Sequence, residues 1–163
     1  MSDSHAHDLS GIRYTGNHSH SEDQVAIIVS RWHPTITETL CQGATRVLRE
    51  AGIPDQQIFR YDVPGSFELP VAASMILQQS PHIDAVITLG CIVQGETRHF
   101  EFIAQAVAQG IVQVGVEFKK PVIFGVLTPD TDQQAADRAG GKYGNKGEEA
   151  AVAALEMLDL RQA

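Results

Sequence analysis

Four short apolar runs, separated by longer segments with helical periodicity, constrain the fold of this chain more than any other feature. The runs are VAIIVS at 25–30, IFRYDV at 58–63, AVITLGCIV at 85–93 and PVIFGVLT at 121–128. Runs of this length and composition are typical of strands buried on both faces, and parallel neighbours are usually joined by helices. We therefore predict an α/β fold, a three-layer α/β/α sandwich on a four-stranded parallel sheet.

Several residues predict where the helices begin and end. Pro34 is expected in the first turn of the first helix, where its missing N–H costs nothing, and Gly52 is expected to end that helix. Ser66 is a candidate N-cap for the second helix. Thr131 and Gln134 have the spacing of a capping box and predict a further helix start.

The length of 163 residues fits one domain, since single domains commonly have ~100 to 200 residues. We expect a single domain over residues 23–163, preceded by a flexible arm at 1–22 that is rich in Ser, His, Gly and Asp. The segment 11–14 could alternatively pair as a strand with a neighbouring subunit. Four of the seven histidines lie in the arm, and a polar tail explains them better than a metal site: His5, His7, His18 and His20.

The charge balance argues against nucleic acid as a partner. The chain has 20 acidic and 12 basic residues and a formal net charge of -8, the wrong sign for a phosphate backbone. No apolar run approaches the ~18 residues that a membrane helix needs. Cys41 and Cys91 lack metal or CxxC spacing, and the first residues lack the pattern of a signal peptide, so we expect a cytoplasmic protein with reduced thiols.

The loops after the strands are the expected location of a ligand site, because parallel sheets bind ligands at the carboxyl ends of their strands. Trp32 follows the first strand, where it would either stack on a planar ring or close the top of the core. The tight turn at 64–68 leads into a helix, so we expect the backbone N–H groups of Ser66 to Glu68 to be unpaired and open to a polyol or a carbonyl. Taken alone, an ordinary strand-to-helix connection, with Glu68 favoured by the helix dipole, explains that turn better.

The loop after the third strand carries the most chemistry. Gly95 allows close backbone approach, and Glu96 and Thr97 offer amides at a helix start, where an anion binds readily. His99 lies in the same turn, and an imidazole beside an anion site is suited to proton transfer. Taken alone, such a histidine is more often a surface or capping residue.

The basic residues Arg138, Lys142 and Lys146 are flanked by glycines, so they form either a solvated face or a phosphate site. No dinucleotide, Walker, serine hydrolase or zinc protease signature occurs in the sequence.

Four motifs occur in order along residues 24–160: VPGSFELP, LGCIVQGETRHFEF, PVIFGVLTPDT and GNKGEEAA. Together they resemble the lumazine synthases, whose fold is flavodoxin-like. The resemblance implies condensation of 5-amino-6-(D-ribitylamino)uracil with 3,4-dihydroxy-2-butanone 4-phosphate, which gives 6,7-dimethyl-8-ribityllumazine, phosphate and water. It makes the chain a transferase of riboflavin biosynthesis and implies no cofactor or metal.

The resemblance also implies roles for individual residues. His99 matches the family's acid/base histidine, Glu96 and Thr97 match its phosphate loop, and Arg138 matches the cationic partner of that loop. Trp32 falls where an aromatic residue stacks on the pyrimidine. The remaining matches are Ser66, Phe67 and Glu68 for the ribityl chain, Cys91, Ile92 and Val93 for the ring pocket, and Phe124 and Lys146 to complete it.

The family assembles as pentamers or as shells of twelve pentamers, with sites between subunits, so Phe124, Arg138 and Lys146 would come from the adjacent chain. The run RAGGKYGNKG lacks the insertion associated with free pentamers, which favours the 60-subunit shell. Riboflavin synthase is a candidate partner. His33, Gln94 and Arg98 depart from the family pattern.

Those departures leave a second hypothesis open, a flavin- or lumazine-binding paralogue with a storage or regulatory role. A third hypothesis, a flavodoxin-like electron carrier, rests on analogy of fold alone.

Overall fold

The structure is a computed structural model that describes residues 11–163. It confirms the parallel sheet, with strands β1 (Val25–Ser30), β2 (Ile58–Val63), β3 (Ala85–Cys91) and β4 (Val122–Leu127) in the order β2-β1-β3-β4. The strands β3 and β4 are shorter than their apolar runs, but backbone hydrogen bonds continue past both ends. The Ile92 N–H donates to the Leu127 carbonyl at 2.8 Å, and the Gln94 N–H donates to the Pro129 carbonyl at 3.0 Å.

Helices cover both faces of the sheet, as the three-layer prediction requires. They are α1 (Pro34–Glu50), α2 (Leu69–Gln79), α3 (His99–Phe118), α4 (Asp132–Asp137) and α5 (Lys146–Gln162). The helices α1 and α5 pack on one face of the sheet, and α2 and α3 pack on the other, giving one apolar core on each side. A small antiparallel hairpin, β5 (Ala139–Gly141) with β6 (Gly144–Asn145), joins α4 to α5 and was not predicted.

The predicted helix ends are confirmed at three places and wrong at one. Pro34 lies in the first turn of α1, Gly52 follows the helix with a φ of 96°, and the Thr131 side chain accepts a hydrogen bond from the Gln134 N–H. Ser66 is not an N-cap. It begins a separate 3-10 turn, Ser66–Glu68, before α2, and its hydroxyl makes no cap hydrogen bond.

Asn145 fixes the approach of α5 to α1. Its side-chain oxygen accepts hydrogen bonds from the N–H groups of Gly147 and Glu148 at 2.8 and 3.4 Å, which caps α5. Its amide group donates to the Thr39 carbonyl of α1 at 3.1 Å. Because the buried Asn145 side chain makes hydrogen bonds to both α1 and α5, it sets the register of the two helices at the point where α5 begins.

The segment before β1 is anchored to α5 by a buried polar cluster. His20 is fully buried, with its Nδ1 2.7 Å from Asp23 and its Nε2 2.7 Å from the Tyr14 hydroxyl. The Tyr14 hydroxyl donates to Asp159 of α5 at 2.8 Å, and Arg161 pairs with Asp23 at 3.0 Å. The polar composition of this segment gives no sign of the contact. His5 and His7 lie outside the described residues.

No helix among residues 11–163 has the length and apolar character that a membrane crossing requires. Within the same residues, no three His, Cys, Asp or Glu side chains come together as a metal site requires.

Candidate active site

A pocket of about 440 Å³ lies at the carboxyl ends of β1, β2 and β3. The loops after these strands meet there because their strands are adjacent and parallel in the sheet. Its lining is formed by Trp32, His33, Gly65, Ser66, Phe67, Glu68, Cys91, Ile92, Val93, His99 and Ile103. The pocket therefore brings together eight of the residues predicted for the site.

Trp32 presents an open aromatic face to the pocket. Its side chain is 67% exposed, so it does not close the top of the core. A Cβ atom added to Gly65 would lie 3.0 Å from the Trp32 ring and 3.2 Å from the Glu68 carboxylate, so the absence of a side chain at Gly65 leaves room for both. His33 adopts a left-handed conformation with a φ of 55°, which turns the chain from the tryptophan into α1.

The turn after β2 contributes one buried hydroxyl and two larger side chains. Ser66 is buried, and its Oγ has no hydrogen-bond partner among the described residues. Phe67 is 56% exposed and Glu68 is half-buried. The expectation that the amides of this turn stay unpaired is wrong for Glu68, whose N–H donates to the Gly65 carbonyl at 3.3 Å. The unpaired Ser66 hydroxyl is the polar group of this turn that still needs a partner.

The end of β3 forms the apolar wall of the pocket. Cys91 is buried, while Ile92 and Val93 are half-buried. Burial raises the pKa of the Cys91 thiol to about 11, with a smaller contribution from the charge of Asp132. Because the thiolate is the nucleophilic form, Cys91 is suited to line the pocket and not to attack a substrate.

His99 is the first residue of α3 and is exposed at the edge of the pocket. Its backbone N–H points back to the Thr97 hydroxyl at 3.4 Å, so the loop and the helix start are joined. Glu96 and Thr97 are exposed on the loop just outside the pocket lining. An exposed imidazole at the edge of a pocket can exchange protons with both a bound molecule and solvent.

The other three predicted residues lie in a second pocket of about 670 Å³, beyond the carboxyl end of β4. Phe124, Arg138 and Lys146 line it together with Gln134 and Tyr143. The Lys146 ammonium group pairs with Glu149 at 3.0 Å. A single chain therefore carries two separate groups of predicted residues, one around His99 and one around Arg138.

Sequence reasoning did not assign several lining residues to the site, among them Gly65 and Ile103 in the first pocket and Gln134 and Tyr143 in the second. Gly65 lies inside the motif VPGSFELP and Tyr143 directly precedes the motif GNKGEEAA, so their positions in the sequence were the available signal. Ile103 lies one turn after His99 on α3, and Gln134 lies in the capping box of α4.

Comparisons with known proteins identify the family. The family model described as 6,7-dimethyl-8-ribityllumazine synthase matches residues 22–162. The chain belongs to this family.

Bacterial relatives carry the same description. The chain is 56% identical to the 6,7-dimethyl-8-ribityllumazine synthase of Cytophaga hutchinsonii over 132 residues, which cover 81% of this chain and 82% of that protein. It is 46% identical to the Porphyromonas gingivalis synthase over 156 residues, 96% of each chain. The Parabacteroides distasonis synthase is 47% identical over 140 residues, covering 86% of this chain and 87% of that one. Nothing in these comparisons favours the storage or regulatory hypothesis.

Proposed function

We propose that this chain condenses 5-amino-6-(D-ribitylamino)uracil with 3,4-dihydroxy-2-butanone 4-phosphate to 6,7-dimethyl-8-ribityllumazine, releasing phosphate and water. The observation that carries the proposal is the pocket that joins His99, Trp32 and the Ser66–Glu68 turn at the carboxyl ends of three strands. Membership in the lumazine synthase family supports the same reaction. The protein is thus a transferase of riboflavin biosynthesis.

The pyrimidine ring binds over Trp32 and against the wall formed by Cys91, Ile92 and Val93. An exposed indole offers a planar face to a heterocycle, and the apolar wall excludes water from its edge. The ribityl chain runs along the turn of Ser66, Phe67 and Glu68. The buried Ser66 hydroxyl supports this placement, because a polyol supplies the hydrogen-bond partner that the protein does not.

His99 is the acid/base group of the reaction. Imine formation, loss of phosphate and ring closure each require a proton to be delivered or removed, and none requires a redox centre. The imidazole lines the same pocket as the ring-binding residues, so it can reach the atoms that gain and lose protons. Glu96 and Thr97 precede it on the same loop, which supports phosphate binding beside the proton-transfer group.

Arg138, Phe124 and Lys146 complete the site from a neighbouring copy of the chain. The observation in favour is their placement in a second pocket, apart from His99 in the same chain. Head-to-tail sharing gives a closed ring when the rotation between copies closes, and we propose a ring of five copies, a pentamer.

The apolar surface supports the assembly. The side chains of Phe102, Val112 and Val116 on α3 are 61% to 73% exposed, and Leu160 on α5 is 65% exposed. A groove of about 510 Å³ lies between these helices at the free edge of β4. Exposed apolar surface of this kind marks a protein interface.

The connection between α4 and α5 is short, with only the β5–β6 hairpin between the two helices. This favours the shell of twelve pentamers over a free pentamer.

We place the protein in the cytoplasm, supported by the two buried free cysteines, Cys41 and Cys91. Riboflavin synthase is proposed as its partner because the two enzymes act in one biosynthetic route. We propose the division into an N-terminal segment at 1–22 and a domain at 23–163, but the expected flexibility is wrong for Tyr14 and His20, which pack against α5 through Asp159.

The test is to mix the purified protein with both substrates and follow the absorbance of the lumazine product. His99→Ala is expected to lower kcat by about 10²- to 10⁴-fold, since that is the usual contribution of a positioned acid/base group. His82→Ala is the matched control, because His82 is an exposed histidine beside Phe59 of β2 and lies outside the pocket lining. A folded parent protein that forms no product refutes the proposal, and equal loss in both variants refutes the role of His99.

A further inference from the structure

Tyr143 lies in the second pocket and has no role in the residue assignments above. It stands in the turn of the β5–β6 hairpin, half-buried, and lines the pocket with Arg138 and Lys146. A tyrosine in a glycine-rich turn is not needed to form the turn itself. Its contacts must therefore explain what it does.

Two cations pack against the Tyr143 ring. The Arg138 guanidinium lies 5.8 Å from the ring centroid, and the Lys142 ammonium nitrogen lies 4.9 Å from it. The face of an aromatic ring is electronegative and attracts cations within ~6 Å. The hydroxyl also bonds Lys142, which raises the pKa of that lysine. The Tyr143 ring thus holds the positive charges of Arg138 and Lys142 close together beside the pocket.

The backbone fixes the ring relative to the guanidinium. The Tyr143 N–H donates to the Asp137 carbonyl at 2.8 Å, and the Lys146 N–H donates to the Arg138 carbonyl at 2.8 Å. These two hydrogen bonds join the end of α4 and Arg138 to the hairpin and the start of α5, so the ring and Arg138 lie on one hydrogen-bonded loop. A guanidinium that is held before a ligand arrives loses less conformational freedom on binding.

We propose that Tyr143 is a positioning residue that holds the Arg138 guanidinium, with Lys142 beside it, toward the phosphate group of the four-carbon substrate. This rests on the proposed function, in which Arg138 binds that phosphate. The ligand class is a phosphate monoester, whose oxygens match the planar fork of an arginine. Tyr143 touches the arginine and not the reacting atoms, so its effect is on binding.

The test compares Tyr143→Leu with Tyr143→Phe in the full-length, assembled protein. The leucine variant removes the aromatic face, and the KM for 3,4-dihydroxy-2-butanone 4-phosphate is expected to rise about two- to fivefold with kcat unchanged. The phenylalanine variant keeps the face and is expected to stay within twofold of the parent. The KM for the ribitylaminouracil is expected to be the same in all three proteins.

Inhibition by inorganic phosphate provides a second measurement, and its constant is expected to shift in the same ratio as the KM. Tyr143→Trp replaces the ring with the stronger cation-binding indole and is expected to lower both values, which keeps the test usable if the leucine variant does not fold. Equal KM in the leucine variant and parent overturns the proposal, as does an equal rise in the leucine and phenylalanine variants. Failure of the proposed function is distinguishable, because the parent protein itself would then form no lumazine.

Discussion

Tyr14→Phe tests the anchor between the N-terminal segment and α5. The substitution removes one hydroxyl, which lies 2.8 Å from a carboxylate oxygen of Asp159 and 2.7 Å from His20. A hydrogen bond to a charged group stabilises a fold by about 1.5 to 3 kcal/mol, so we expect a loss of about 2 kcal/mol at neutral pH. In a chain of this size that corresponds to a fall in Tm of about 4 to 8 °C.

The pH dependence gives the sharper measurement. Burial, followed by the hydrogen bond and charge of Asp159, raises the pKa of Tyr14 from 10.0 to about 12. Because the neutral phenol is the favoured form in the fold, its stabilisation is complete below pH 10 and is lost as the pH rises toward 12. The stability gap between parent and Tyr14→Phe should therefore be constant up to pH 10 and close above it.

Thermal melts followed by far-ultraviolet circular dichroism measure this gap. Fluorescence is a poor choice, because Trp32 is 67% exposed and its surroundings change little on unfolding. Both proteins contain Cys91, whose thiol also titrates at high pH, so its contribution cancels in the comparison. Tyr61→Phe, on the edge strand β2, is the control. Equal stability of parent and Tyr14→Phe at neutral pH, or a gap that persists above pH 12, would refute the reasoning.

Two further substitutions test the site and the helix register. Ser66→Ala removes a buried hydroxyl that has no hydrogen-bond partner among the described residues. We therefore expect an unchanged or higher Tm and a several-fold higher KM for the ribitylaminouracil. A fall in Tm with an unchanged KM would contradict the placement of the ribityl chain beside Ser66. Asn145→Ala removes the cap of α5 and the bond to Thr39, and we expect a loss of about 1 to 2 kcal/mol in the free energy of unfolding, with chemical denaturation as the measurement.

The sheet could be predicted from the sequence because its strands carry their own signal. The runs at 25–30 and 85–91 are buried along their whole length, and such runs rarely form anything other than interior strands. The hairpin at 139–145 carries no such signal, since its strands have three and two residues and are mostly glycine and polar residues. Ser66 was misassigned because a 3-10 turn and a helix start have the same local composition.

The sequence predicted which loops form the site. In a parallel sheet the loops at the carboxyl ends of the strands lie at one edge, so the sequence predicts that Trp32, Ser66 and His99 share that edge. The sequence does not give the order of the strands, which brings the three loops together in one pocket. The anchoring of His20 was not predictable, because its partners Tyr14 and Asp159 are 145 residues apart in the sequence. From its composition alone, a polar segment that contains a buried histidine has the same sequence pattern as a flexible tail.

Mixing two inactive variants tests the central claim, that His99 of one copy and Arg138 of its neighbour form one site. His99→Ala and Arg138→Ala are unfolded together in equal amounts and reassembled, and lumazine formation is compared with each variant alone. In a ring with random order, about a quarter of the sites would combine an intact His99 with an intact Arg138, so about a quarter of the parental activity should return. Activity no higher than that of the separate variants, in assemblies shown to contain both chains, would contradict the account.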